Sequence, residues 1–227
     1  MVFVVVIVVL LLLIIGPSIW VKRTLQKYAT PADRYSGSGN ALARELLNRA
    51  GLQSVKVEST ETGDHYDPIE KCVRLTPENY DGRSLTAITV AAHEVGHAIQ
   101  DRDGYMPLRL RTRLVKLALP AEKLGAGILM LAPLLTMVSR APAAGLFLLL
   151  GGFLSLGTAA LVHLVTLPME MNASFARALP MLEQGNYLKP GDVPHANRIL
   201  RAAAWTYASA SLMTLLNIGR WWAILRR

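Results

Sequence analysis

From Met1 to Val21 the chain carries no charged side chain, and Val2–Ile15 is unbroken aliphatic and aromatic sequence. A helix needs about 20 apolar residues to cross a bilayer, so few folds suit such a run. A secretory signal opens with basic residues and ends at small ones. Here the order is reversed: nothing basic precedes the run, and Lys22 and Arg23 follow it. Residues 2–21 are therefore expected to form a retained transmembrane helix with its N-terminus outside. Leu124–Val138, Ala143–Thr166 and the more dilute Ala202–Trp222 repeat the apolar pattern, the second of them rich in glycine and small residues. With 52% hydrophobic and 18% charged residues, the chain is too apolar for an ordinary soluble domain and too charged for a bare helical bundle.

The polar block, residues 22–117, reads as helix, hairpin, helix. Asn40–Ala50 places Leu42, Leu46 and Leu47 on one face and stops at Gly51. Ser54–Thr60 reads as a strand, Gly63–Pro68 as a turn and Lys71–Thr76 as a second strand. This second strand is able to pair with an extended substrate or to lie inside a sheet. Ser84 or Thr86 caps the helix that follows.

The formal net charge of +8 is not arranged for nucleic acid, because no basic run is interleaved with aromatics. Lys22, Arg23, Arg109, Arg111 and Arg113 instead flank apolar segments on one side, against Arg140, Arg220, Arg226 and Arg227 on the other. The positive-inside rule puts the polar block in the cytoplasm, where its basic flank meets anionic headgroups. The single cysteine, Cys72, excludes an internal disulfide and leaves any metal to histidines and carboxylates.

Such a site is written at His93-Glu94-Val95-Gly96-His97, within the helix-prone stretch Ala87–Gln100. Residues four apart share a helix face, so His93 and His97 can grip one Zn²⁺ and Glu94 can reach a water beside it. A catalytic zinc takes a third protein ligand. A nearby histidine would follow His97-x-x-Gly-x-x-His, but Gln100 and Asp103 occupy those places. Asp103 and Glu170 remain as candidates, and Glu170 also reads as a solvated carboxylate at a helix start. His163, seven residues before Glu170, suits a supporting position better than a ligand. No residue role is assigned to His195.

The chain resembles the YugP-like bacterial neutral zinc metallopeptidases over nearly its whole length. The likeness rests on Asp64-His65-Tyr66-Asp67-Pro68, on Val90–Gln100, on Leu164–Ser174 and on the segment through Ala204-Trp205-Thr206-Tyr207. Glu170-Met171-Asn172-Ala173 is also similar to the E-x-x-A-D element of membrane proteases related to the CAAX prenyl peptidase, with Ser174 in place of the aspartate. The resemblance implies Glu170 as third zinc ligand and leaves Asn172 or Ser174 to orient a zinc histidine.

The expected fold class is mainly α: an integral membrane helical protein of about four transmembrane helices with a small α+β, zincin-like cytoplasmic domain. Its divisions are transmembrane helix 2–21, the zincin-like domain 22–117, two helices in 118–166, an extramembrane helix and loop 167–201 and a last helix 202–223. The expected activity is that of a membrane-embedded, multi-pass zinc metallopeptidase of the bacterial inner membrane. It would hydrolyse peptide bonds of peptide or membrane-protein substrates at the cytoplasmic face, with the bilayer as its other partner. One Zn²⁺ per chain sits on His93, His97 and Glu170, with Glu94 as general base. His65 or Tyr66 would serve as oxyanion donor, and Asn172, Ser174 and His163 would support the ligands. The alternative is a non-catalytic metal-binding membrane scaffold.

Overall fold

The computed structural model describes residues 2–139, 151, 162 and 165–215; for 2–14, 206–215 and parts of 119–139 it describes the backbone alone. Helix α1 spans Val2–Tyr28 and α2 spans Gly39–Arg49. Strands β1 (Lys56–Ser59), β2 (His65–Asp67) and β3 (Cys72–Leu75) follow. Then come α3 (Pro77–Tyr80), α4 (Leu85–Arg102) and α5 (Met106–Ser139). Residues 165–171 are helical and run into a π-helix, Asn172–Ala178. Helices α6 (Leu179–Gln184) and α7 (Val193–Leu215) close the described chain.

Helix α4 is the axis of the molecule. Ser84 caps it, its hydroxyl accepting from the Ala87 amide, and every residue from Leu85 to Gln100 is buried. A helix buried on all sides must be covered all round. Helix α2 lays Leu42, Ala43, Leu46 and Leu47 against it, the sheet adds Tyr66, Val73 and Leu75, and the far side adds Ala178, Leu182, Ile199 and Leu200. Truncating a fully buried leucine such as Leu47 or Leu182 to alanine typically costs about 2–5 kcal/mol.

The sheet differs from a simple hairpin. Its order is β1-β3-β2, with β1 parallel to β3 (Val57 opposite Val73) and β2 antiparallel to it (Tyr66 opposite Val73). The expected turn at Gly63–Pro68 thus contains a strand, too short to show an alternating pattern. The strand at Lys71–Thr76 lies in the middle of the sheet, with both edges already paired. The Asp64 carboxylate pins the start of β2, accepting from the Thr76 amide and hydroxyl and from the Asn79 side chain.

The expectation of an integral membrane protein with about four transmembrane helices is corrected. Among the described residues, no helix is long and apolar enough to cross a membrane. In α5, Arg109, Arg111, Arg113 and Lys116 lie in the N-terminal half, where Leu110 and Leu117 are exposed, and Lys123 lies at the middle. In α1, Pro17 and the basic Lys22, Arg23 and Lys27 occupy the C-terminal half. Arg198 and Arg201 lie in the first turns of α7. Most of Ala143–Thr166 and the end of Ala202–Trp222 lie outside the described residues. The described chain is a mainly helical protein with one small sheet.

Candidate metal centre

His93 and His97 leave α4 one turn apart and meet Glu170 from the helical residues 165–171. The Nε2 atoms of His93 and His97 lie 3.1 and 3.2 Å from the same oxygen, Glu170 Oε2. Among the described residues, these three form the one group of histidine, cysteine or acidic side chains able to hold a metal, with ligand atoms within 4.8 Å of one another. The rings meet edge to face at 81°. Gly96 allows the approach. A Cβ there would lie 2.8 Å from the Ala173 carbonyl oxygen, closer than real Cβ contacts.

Each imidazole is held from behind. The Ser174 hydroxyl donates to the Leu200 carbonyl (3.2 Å), so it accepts from His93 Nδ1 (3.1 Å). Gln100 donates through its amide nitrogen to the Met169 carbonyl at 2.8 Å, so its oxygen faces His97 Nδ1 at 3.0 Å. Both Nδ1 atoms are therefore donors, and both Nε2 atoms face the convergence. The π-helix places these supports. It gives Ser174 to His93 while setting Asn172 beside Gln100 (2.9 Å) and Arg177 (3.1 Å). Single π turns of this kind recur at functional sites.

The donor set fits a divalent cation such as zinc. Two neutral imidazoles and a carboxylate are a common catalytic zinc set. The other carboxylate oxygen, Glu170 Oε1, is buried and has no hydrogen-bond partner, which costs about 1–3 kcal/mol in a chain without a cation. In that state the charges compensate one another. Burial alone would raise the Glu170 carboxyl, but the His97 and His93 imidazoles bring it down to about 2. Burial alone would lower His97, but Glu170 lifts it to about 9. Glu94 is buried beside them; desolvation raises its carboxyl above the ordinary range, against the opposing pull of His93 and His97. A carboxylate raised in this way is suited to taking and returning protons near neutral pH.

Other side chains expected at the site lie around it or apart from it. His65, on β2, is half-buried and donates from Nδ1 to the Gly63 carbonyl at 2.8 Å. Tyr66 donates its hydroxyl to Asp101 at the end of α4, and burial with that contact raises the phenol well above its usual range. Asp103 pairs with Arg102 and Arg177, outside the metal-binding group. His163 lies outside the described residues. Sequence reasoning misses Gln100 and Gly96. Gln100 has one legible signal, its position three residues after His97 on the same helix face.

Gly96→Ala is expected to push the π-helix off α4 at a cost of about 1–3 kcal/mol, the usual range for overpacking. It should also weaken zinc binding, because Glu170 and Ser174 move with Ala173. Thermal unfolding with and without zinc checks both effects, and a variant matching wild type in both would show that the contact is not tight.

A family model described as "Putative neutral zinc metallopeptidase" matches residues 3–226. A protein of Bacillus subtilis (strain 168) named "Putative membrane protease YugP" is 35% identical over 213 residues, covering 91% of this chain and 90% of the relative. No solved structure matches the chain. A match across nearly the whole length, in a chain whose HExxH helix carries a convergent His-His-Glu cluster, shows that this protein belongs to that zinc metallopeptidase family.

Proposed function

We propose that the protein is a zinc-dependent endopeptidase that hydrolyses peptide bonds of protein substrates. The observation that carries this reading is the convergence of His93 and His97 Nε2 on one buried oxygen of Glu170, with Glu94 in the same helix. In this reading His93, His97 and Glu170 hold one zinc per chain. Zinc there would polarise the scissile carbonyl and make a water acidic enough to attack it near neutral pH. Glu94 accepts the proton of the attacking water and returns it to the departing amine. Ser174 and Gln100 hold the imidazoles in the tautomers the site needs.

The name of the B. subtilis relative and the basic Lys22, Arg23, Lys27, Arg109 and Arg111 support work at the cytoplasmic face of a bacterial membrane. Anionic headgroups and membrane-protein substrates would be the partners there.

The burial of all four site residues favours a second reading, a closed structural metal site in a non-catalytic scaffold. One experiment separates the two. The purified full chain should carry about one zinc and cleave an unfolded protein such as casein; a chelator should stop cleavage and added zinc restore it. Zinc with no cleavage selects the scaffold, and neither zinc nor cleavage removes both.

A further inference from the structure

The two imidazoles are supported by different chemistry. His93 leans on a hydroxyl that the Leu200 carbonyl orients. His97 leans on the Gln100 side-chain amide, whose two ends are opposite in character. We propose that Arg177 is a positioning residue for the metal site: through Asn172 and Gln100 it acts together with the Met169 carbonyl to fix which end of that amide His97 meets. The proposal rests on the zinc-site reading above.

Arg177 has donors only. Its Nε donates to Asn172 at 3.1 Å, so the oxygen of Asn172 must face it. That same oxygen accepts from the Gln100 nitrogen at 2.9 Å. Gln100 is 0% exposed, so bulk water does not compete for its amide. With its nitrogen turned to Asn172 and to the Met169 carbonyl, its oxygen lies 3.0 Å from His97 Nδ1. In the neutral imidazole the proton therefore sits on Nδ1, which leaves the Nε2 lone pair for a metal. If Asn172 turned over, its NH₂ would face the donors of both Arg177 and Gln100. If Gln100 turned in response, it would offer NH₂ to Nδ1 and move the imidazole proton to Nε2, where a metal must bind.

At its outer end, Arg177 is anchored by Asp103 at 2.7 Å. The five-residue interval from Asn172 to Arg177 spans the π-helix, whose wider turn stacks the two side chains. A plainer role is available: Arg177 and Asp103 could simply staple the π-helix to the end of α4. Lysine at 177 separates the two. It keeps a charge for Asp103 but lacks the fixed, spaced Nε and Nη1 donors with which arginine meets Asn172 and Asp103 separately.

The experiment uses the full chain as wild type, Arg177→Lys, Asn172→Leu and the double variant. Zinc affinity is measured by chelator competition, and exchange of the His97 Nδ1 proton is followed by NMR in the zinc-loaded chain. Unfolding of the metal-free chain is measured alongside. The expected result is a loss of zinc affinity of about 10-fold in each single variant, the lower end of what outer-shell partners contribute. The double variant should lose no more than either single one, because both act through one path. Nδ1 exchange should accelerate, and metal-free unfolding should change little. Wild-type affinity and exchange in Arg177→Lys would overturn the proposal, as would multiplying losses in the double variant. A wild-type chain that binds no zinc overturns the site reading itself.

Discussion

Glu94→Gln is expected to slow peptide hydrolysis by about 10²–10⁴-fold, the usual contribution of a general base, while zinc stays bound. Glutamine has the same shape, so the buried space beside His93 and His97 stays filled, and the three proposed ligand side chains are untouched. What is lost is a group able to take a proton from the attacking water. Burial strengthens the expectation. Glu94 is raised above the ordinary carboxylate range mainly by desolvation, which brings its affinity for a proton closer to what neutral pH requires. The measurement pairs zinc content with turnover of an unfolded protein. Turnover within a few-fold of wild type would remove Glu94 from the chemistry. Loss of zinc along with turnover would show that Glu94 supports the ligands instead.

Legibility in the sequence varies by element. The α4 helix is plain, because Ser84, an apolar run and a His pair at i and i+4 all agree on one helix. The leucine face of α2 is plain for the same reason. The sheet order is not. β2 is only His65–Asp67, too short for an alternating pattern to register. Its placement beside β3 depends on Asp64 gripping Thr76 and Asn79, contacts that no spacing rule contains. Glu170 is a candidate in the sequence alone and family resemblance strengthens it, since a glutamate 73 residues after His97 has no local signal. The π-helix is illegible, yet it sets Ser174, Asn172 and Arg177 at once. The membrane expectation comes from counting apolar residues along the chain. Among the described residues no helix is long and apolar enough to bear that count out.

Glu170→Ala is expected to weaken zinc binding by more than the ~10–100-fold typical of outer-shell losses, because in the proposed site it removes a ligand rather than a support. It should also change how the metal-free chain responds to pH. In wild type, His97 is raised in the fold from about 6.5 to about 9. A raised histidine contributes stability that is complete below pH 6.5 and is lost as pH rises towards 9. The size is on the order of 3 kcal/mol, at roughly 1.4 kcal/mol for each tenfold gain in proton affinity. Glu170 is lowered to about 2, so its contribution is complete above about pH 4.5 and disappears as pH falls towards 2. Together these two groups contribute most to the metal-free wild type between about pH 4.5 and 6.5 and less on either side. Without Glu170, burial becomes the dominant influence on His97 and disfavours its charged form. The variant should then show a smaller fall in stability between pH 6.5 and 9 than wild type, with the remainder due to Glu94, whose raised carboxyl also loses stability as pH rises. Denaturant unfolding of both chains, stripped of metal, across that range decides the matter. An equal fall in wild type and variant would mean that Glu170 does not hold the His97 charge, and would undo the electrostatic account of the site.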